Sequence, residues 1–287
     1  MPAFLDDFLF TYESLVHSLG VNGLLALSMY VVLAMGQLSL GQAAFMGIGA
    51  YTSALLTLNV GAPFPLVLVA VMITPALGAL IIGAPTLRLS GVYLALATIG
   101  VGEMLRLLYI NTPLFGGALG LSGIPRLAGI IWIYGCLAVG LIVFVFVARS
   151  RVGRAMEAMR EDELAAGAIG VNLPRYKLGG LVVSAAIAGL AGALDAHVSS
   201  FISPAAYGFD AAVTILSFAL LGGIGSPFGP VLGAIILTLL PEALRPLQDF
   251  RLVVNGLIIV LAVLFMPRGL LAWRMGRLAA RPGGASR

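Results

Sequence analysis

The chain has 287 residues, of which 60% are hydrophobic and only 10% charged, against roughly 25% charged in an ordinary soluble domain. Several apolar runs reach the ~18–20 residues that cross a hydrocarbon core, which excludes a soluble domain. The runs do not alternate in polarity as barrel strands would, so the sequence predicts an all-α polytopic membrane protein. The net charge of +4 matters only through its placement in the loops.

Nine apolar segments are predicted along the chain, at about 18–36, 37–58, 63–84, 90–110, 129–148, 178–199, 209–221, 227–241 and 252–266. The acidic, aromatic residues 1–17 that precede them suit a short helix at the outer interface. The seventh and eighth segments are short and meet at GGIGSPFGP (222–230). They form either two short spans or one re-entrant hairpin. The expected fold is a bundle of about 8–10 transmembrane helices.

The orientation follows from the Lys and Arg residues in the loops. With the N-terminus outside, twelve basic residues fall inside and three outside, which agrees with the positive-inside rule. Residues 1–17 are then outside, residues 18–266 form the transmembrane domain, and residues 267–287 form a basic cytoplasmic tail. The longest cytoplasmic loop is 149–177.

The loop 149–177 carries ten of the 28 charged residues. Its middle is predicted to be helical, with Glu157 and Arg160 paired at i,i+3, and Asn172-Leu173-Pro174 is expected to end the helix. A solvated linker that only anchors the topology is one interpretation. The small residues 165–168 beside an acidic cluster favour a second one, a surface that another protein can approach closely.

Small residues also recur at helix-packing spacing in the sixth segment. Ser184, Ala188, Gly192 and Ala196 form one stripe. Because lipid supplies no hydrophobic drive between helices, close backbone contact along such a stripe holds a bundle together. The stripe predicts packing and names no function.

The second segment opens with GQLSLGQ (36–42), which is polar and glycine-rich. Irregular backbone at membrane depth is tolerated only where it is buried in protein or lines a cavity, and it commonly marks a transport site. Gln37, Ser39 and Gln42 are therefore candidates for a translocation path. The alternative is a simple turn between the first two segments.

Charged residues within the apolar segments are functional candidates by default. Glu103 either lines the path or pairs with Arg106 at i,i+3. Asp195 and His197 are expected at the outer interface. Asp210 begins a helix, where a carboxylate favours the N-terminal dipole, so its expected role is structural.

Enzymatic motifs are missing from the sequence. There is no GxxxxGK[ST] loop, no HExxH and no serine–histidine–acid set, and the single Cys136 can form no intrachain disulfide. No catalytic or metal-binding residue is predicted. If the protein consumes ATP, another chain must hydrolyse it.

Five motifs, at 36–56, 97–108, 117–125, 152–178 and 221–237, resemble the permeases of branched-chain amino-acid ABC importers. The likeness is closer to the M-type subunit than to its H-type partner. It covers the chain except about the first 20 and the last 15 residues. Only Val171-Asn172-Leu173-Pro174 fits the general importer signature of the cytoplasmic loop, and Gln42 stands where the family commonly has histidine.

The resemblance implies a type II ABC importer-like permease of the bacterial inner membrane. It implies a second, H-like permease, two cytoplasmic ATPases that bind ATP and magnesium, and a periplasmic solute-binding protein, with no cofactor in this chain and no nucleic acid. The loop 149–177 would dock on an ATPase. The expected coupling residues are Glu157, Arg160, Glu161, Asp162, Glu163, Ala165, Ala166 and Gly167. A urea or short-amide importer of the same family and, less favoured, a secondary transporter are the alternatives.

Overall fold

The computed structural model describes residues 2–86, 89 and 91–243. The ninth apolar segment (252–266) and the basic tail (267–287) lie outside the described residues. The helices are α1 (Pro2–Leu33), α2 (Gln42–Leu55), α3 (Phe64–Thr86), α4 (Val92–Asn111), α5 (Ile130–Arg149), α6 (Arg151–Glu161), α7 (Glu163–Ala168), α8 (Leu173–Ser199), α9 (Phe209–Gly222) and α10 (Phe228–Ala243). A π-helical turn (Leu56–Val60) extends α2, and short 3-10 turns lie at Pro113–Phe115, Gly117–Leu119 and Pro204–Tyr207.

Six helices of the described chain are long and apolar enough to cross a membrane. They comprise α1 from Tyr12 onward, α2 with its π-helical turn, α3, α4, α5 and α8, while α9 and α10 are shorter apolar helices. The protein is a multi-pass, all-α membrane protein, as the sequence predicts. Helices satisfy every backbone N–H and C=O within the segment itself, which lipid cannot do.

Helix α1 corrects the prediction for residues 1–17. The backbone is helical without a break from Pro2 to Leu33, so no separate short helix precedes the first span. No proline or glycine interrupts the chain between Pro2 and Gly20, and nothing else in that stretch stops a helix.

Helix α8 is the centre of the bundle, packed against α1, α2 and α3. Ser184, Ala188, Gly192 and Ala196 all lie on its buried face. Helix α8 approaches α2 very closely at Gly192, where an added Cβ would come within 2.1 Å of the Met46 carbonyl oxygen. Only glycine fits there, because any side chain would push the two backbones apart.

The bundle has two distinct ends. Strands β1 (Leu121–Ser122) and β2 (Phe201–Ile202) pair antiparallel directly after α8, and this is termed the strand end. Helices α6 and α7 lie directly before α8, and this is termed the α6 end. The 27 residues of α8 separate the two ends by roughly 40 Å, at 1.5 Å per residue.

Helices α9 and α10 form a hairpin whose tip reaches the α6 end. The Arg160 guanidinium of α6 donates a hydrogen bond to the Ile224 carbonyl in the connecting turn, at 3.3 Å. Asn22 of α1 donates to the Thr238 hydroxyl of α10 at 2.9 Å, which places α10 against the bundle. Since α8 ends at the strand end, the chain crosses to the α6 end before it turns. This geometry favours two short spans over a re-entrant hairpin.

Candidate functional site

Helix α6 begins at a cap and lies on the bundle by one face. Ser150 accepts hydrogen bonds from the backbone N–H groups of Val152 (3.1 Å) and Gly153 (3.4 Å), which satisfies two free donors of the first turn. Met156 and Met159 are buried on the inner face. The polar residues occupy the outer face, so α6 is a polar helix docked by its methionines.

Asp162 divides the loop into two helices, which corrects the prediction of a single helix ending at Asn172. Its backbone is extended, and its carboxylate accepts from the N–H groups of Leu164 (2.9 Å) and Ala165 (3.0 Å). Asp162 is therefore the N-cap of α7. Asn172 does not stop a helix either, because its side chain caps α8 by accepting from the Arg175 N–H at 3.3 Å.

The acidic residues of the loop have different roles. Glu157 and Glu161 are exposed and lie 3.9 and 3.4 Å from the Arg160 guanidinium, which confirms the i,i+3 pair predicted for Glu157. Glu163 instead forms an ion pair with Lys177, whose side chain is buried. This pair holds α7 against the start of α8.

The outward side of α6 and α7 exposes apolar as well as charged groups. Leu164 is 85% exposed and Ile169 77% exposed. The exposed residues Glu157, Glu161, Leu164, Ala165, Gly167 and Ile169 are termed the α6–α7 surface. Of the small residues predicted to make contacts, Ala166 is not part of this surface, because it is buried in the cluster that contains Met156 and Met159.

Sequence reasoning missed Leu164 and Ile169. A signal for them exists: they are large apolar residues within a loop that is otherwise polar or built of small residues. Isolated exposed apolar residues are common on proteins, but two so close together in a charged loop favour a protein contact surface.

Two contacts join α6 to the end of α1. Tyr30 and Met35 at the end of α1 pack with Met156 and Met159 in one cluster. Gly36, which follows, has a positive φ of 72°, and its position for a Cβ lies 3.4 Å from the Arg160 Cα. A movement of α6 therefore acts directly on the residues where the first span ends.

The next residues form the predicted irregular segment. Residues 37–41 have no helical structure, and α2 begins only at Gln42, which confirms that the second segment is partly unwound. Gln37, Ser39 and Gln42 are all buried. The segment is thus not a solvated turn between two spans.

Hydrogen bonds satisfy only some of the polar groups in and next to this segment. The Leu40 N–H donates to the Thr98 hydroxyl of α4 at 2.9 Å. The Gln42 amide donates to Ser184 of α8 at 3.2 Å. The Oε1 atoms of Gln37 and Gln42 have no hydrogen-bond partner within the described part of the chain. Buried polar atoms without partners are rare in folded proteins, so these two oxygens suit a polar cargo or water.

Glu103 connects two helices. Its Oε2 pairs with the Arg106 Nε at 2.7 Å, as one interpretation of the sequence predicted. Its Oε1 accepts from the Phe209 N–H at 3.2 Å, so it also caps α9, a contact that the sequence did not reveal. Asp210 lies in the first turn of α9, as predicted. Both carboxylates thus lie near the partial positive charge of the α9 N-terminus.

His197 lies two residues before the end of α8, at the strand end. It is fully buried, and its Nδ1 lies 2.7 Å from the Pro125 carbonyl oxygen. Its ring packs edge-on against Phe64, with the centroids 5.2 Å apart. Asp195, two residues earlier, is partly buried. His197 therefore acts as a packing residue under the strand end.

A comparison with protein families identifies the family of the chain. The family described as "Branched-chain amino acid transport system / permease component" matches residues 12–263. The chain belongs to this permease family. The match includes the α6–α7 surface, the irregular segment and all six long helices.

Relatives of this permease agree with that assignment. The permease protein LivM of the high-affinity branched-chain amino acid transport system of Escherichia coli K12 is 34% identical over 94% of this chain and 70% of its own length. The LivM protein of Salmonella typhimurium shows the same values. The LivH permease protein of E. coli K12 is 35% identical over 52% of this chain and 49% of its own length. No solved structure matches the permease significantly.

Proposed function

We propose that this permease is the M-like membrane subunit of an ATP-driven importer of branched-chain amino acids. The observation that carries the proposal is the family match over residues 12–263, together with the LivM likeness over 94% of the chain. The relatives include both M-type and H-type permeases, which supports pairing with an H-like second subunit. The chain itself is a transport component and not an enzyme.

The α6–α7 surface supports contact with an ATPase. The exposed Leu164 and Ile169 offer an apolar anchor, and Glu157 and Glu161 are exposed on the same two helices, a mixture of apolar and polar groups typical of protein interfaces. In this proposal two cytoplasmic ATPases bind ATP and magnesium, and the α6 end faces the cytoplasm. The N-terminus then lies outside and the C-terminus inside, as the basic loops predict.

The proposed mechanism is alternating access driven by closure of the ATPase dimer. Closure would push the α6–α7 surfaces of both permeases together. Because α6 contacts Gly36 and, through Arg160, the turn at Ile224, the push would reach the irregular segment and the α9–α10 hairpin together. That motion would open the path outward beneath a docked solute-binding protein, and hydrolysis would reset it.

The irregular segment supports a neutral, polar path. Gln37, Ser39 and Gln42 offer amide and hydroxyl groups and no fixed charge, which suits a zwitterionic amino acid that carries no net charge. A secondary transporter would instead be expected to place ionisable coupling residues at the membrane midplane.

The test is ATP-dependent uptake into liposomes that contain the permease, its H-like partner, the ATPases and the binding protein. We expect uptake of leucine, isoleucine and valine that stops when ATP is withheld. Uptake of urea or acetamide but not of leucine would show that the proposed substrate class is wrong, while the proposal of an ATP-driven importer would stand. Uptake by the permease alone, driven by an ion gradient, would overturn the proposal.

A further inference from the structure

A groove of about 390 Å³ opens on the side of the bundle at the α6 end. Val31 of α1, Val143 and Val147 of α5, and Val183 of α8 form its apolar walls, and Val152 of α6 closes its end. Val143, Val152 and Val183 are each more than 40% exposed, so the described part of the chain leaves nearly half of each side chain uncovered. The groove lies on membrane-spanning helices, where acyl chains are the surrounding solvent.

A single basic residue of the described chain, Arg175, lines the groove. Arg175 and Tyr176, in the first turn of α8, line the groove at the α6 end. Lys177 forms an ion pair with Glu163, but the Arg175 guanidinium makes no ion pair with any described residue. Arg175 is exposed and therefore offers a free guanidinium directly above an apolar slot.

We propose that this groove binds an anionic phospholipid from the leaflet at the α6 end. One acyl chain lies in the valine-walled slot, and the phosphate accepts hydrogen bonds from the Arg175 guanidinium and the Tyr176 hydroxyl. Guanidinium groups match phosphate oxygens in geometry and charge. Basic pockets between transmembrane helices are recurrent sites for anionic headgroups.

The acyl-chain half of the site has a well-placed substitution. Gly179 lines the groove, and a Cβ added there meets nothing within 4 Å. Gly179→Leu therefore fills the slot without a clash. Its neighbour is unsuitable, because a Cβ at Gly180 would lie 1.6 Å from the Met35 Cε. Gly135→Leu is the matched control, since Gly135 is an exposed helix glycine on α5 that also has nothing within 4 Å.

The headgroup half of the site can be tested with a substitution and a matched control as well. Arg175→Gln removes the free guanidinium and keeps a polar side chain. Arg154→Gln removes an exposed arginine from α6 at the same end of the bundle, one that does not line the groove. The two variants have the same net charge, so a difference between them reports the position of the charge.

The experiment is native mass spectrometry of the full chain, purified in mild detergent and mixed with phosphatidylglycerol and phosphatidylcholine of equal chain length. The unmodified protein should retain phosphatidylglycerol preferentially. Arg175→Gln should lower that preference about fivefold, from the ~1 kcal/mol that one basic residue contributes near a membrane surface. Gly179→Leu should reduce retention of both lipids, while Gly135→Leu and Arg154→Gln should leave both unchanged.

Two results would overturn the proposal. One is equal preference in Arg175→Gln and Arg154→Gln, which would make the binding a general charge effect. The other is a pair of results. The lipid is lost when the H-like subunit is added, and a cysteine placed at Val183 forms a disulfide with a cysteine placed in that subunit. The groove would then be a permease–permease interface.

Discussion

The α6–α7 surface and the irregular segment 37–41 are two polar islands in an apolar chain, and they satisfy their polar groups in opposite ways. On α6 and α7, caps and ion pairs fix the backbone, as Asp162 does for α7 and Lys177 does for Glu163. In the irregular segment and at the first residue of α2, the buried Oε1 atoms of Gln37 and Gln42 have no partner among the described residues.

In the proposed mechanism, this difference separates two tasks. A surface that transmits force to another protein works best when its own geometry is fixed before contact. A segment that exchanges polar contacts with a moving solute needs groups that its own fold leaves available. The contacts of Gly36 and Ile224 with α6 join the two regions, so substitutions in each should have separable effects.

The largest effect is expected for Leu164→Glu on the α6–α7 surface. A charge at the centre of the apolar anchor should remove about 2 kcal/mol or more of binding to the ATPase, as loss of an interface hot spot does. This corresponds to a roughly thirtyfold weaker interaction. Co-purification of the ATPase subunits with the tagged permease measures it, and uptake should fall in parallel.

Leu119→Glu is the control for this substitution. Leu119 is also 85% exposed but lies in a 3-10 turn near the strand end. It should not change ATPase capture. Equal losses from both variants would mean that the effect is general instability, and full capture by Leu164→Glu would remove the α6–α7 surface from the coupling contact.

A smaller effect is expected for Lys177→Met, which breaks the link between α7 and α8. The substitution leaves Glu163 without its buried partner, and loss of a hydrogen bond to a charged group costs about 1.5–3 kcal/mol. Because Glu163 is half exposed to water, we expect the low end of that range. Thermal unfolding of the purified permease should show the loss as a lower Tm.

The double variant Lys177→Met with Glu163→Gln makes the result specific to the pair. It should recover part of the lost stability, because no unpaired charge remains. If the loss of stability in the double variant equals the sum of the losses in the two single variants, Lys177 and Glu163 do not interact.

The long helices could be predicted from the sequence, because the membrane permits few alternatives to a helix in an apolar run of 20 residues. The irregular segment was also predictable, since Gly36, Gly41 and the two glutamines interrupt an apolar run. Local chemistry alone sets these features. No partner distant in sequence is needed to recognise them.

The features that the sequence did not predict depend on a choice between two local structures or on partners distant in the sequence. Asp162 suits a charged helical surface and an N-cap equally well, and only the path of the backbone decides between them. The partners of Glu163 and Glu103 lie far along the chain, Lys177 by 14 residues and Phe209 by 106. Periodicity carries no information about such contacts, nor about the contact between Arg160 and Ile224.

Gln42→Leu tests the irregular segment with a still smaller cost in stability. It removes the hydrogen bond to Ser184, worth about 1 kcal/mol, and also removes the unpaired Oε1. We expect ATPase capture to be unchanged and amino-acid uptake to fall several-fold. A variant that acts on the α6–α7 surface would instead lower both ATPase capture and uptake.

The smallest effect concerns the cap of α7. Asp162→Ala should cost about 0.5–1 kcal/mol, the low end for loss of an N-cap at an exposed site. Asp162→Asn should cost almost nothing, because an amide oxygen accepts the same two N–H bonds while the negative charge is gone. If ATPase capture instead weakens equally in both variants, the charge of Asp162 contacts the partner directly, and the fixed geometry of the α6–α7 surface is not what its carboxylate supplies.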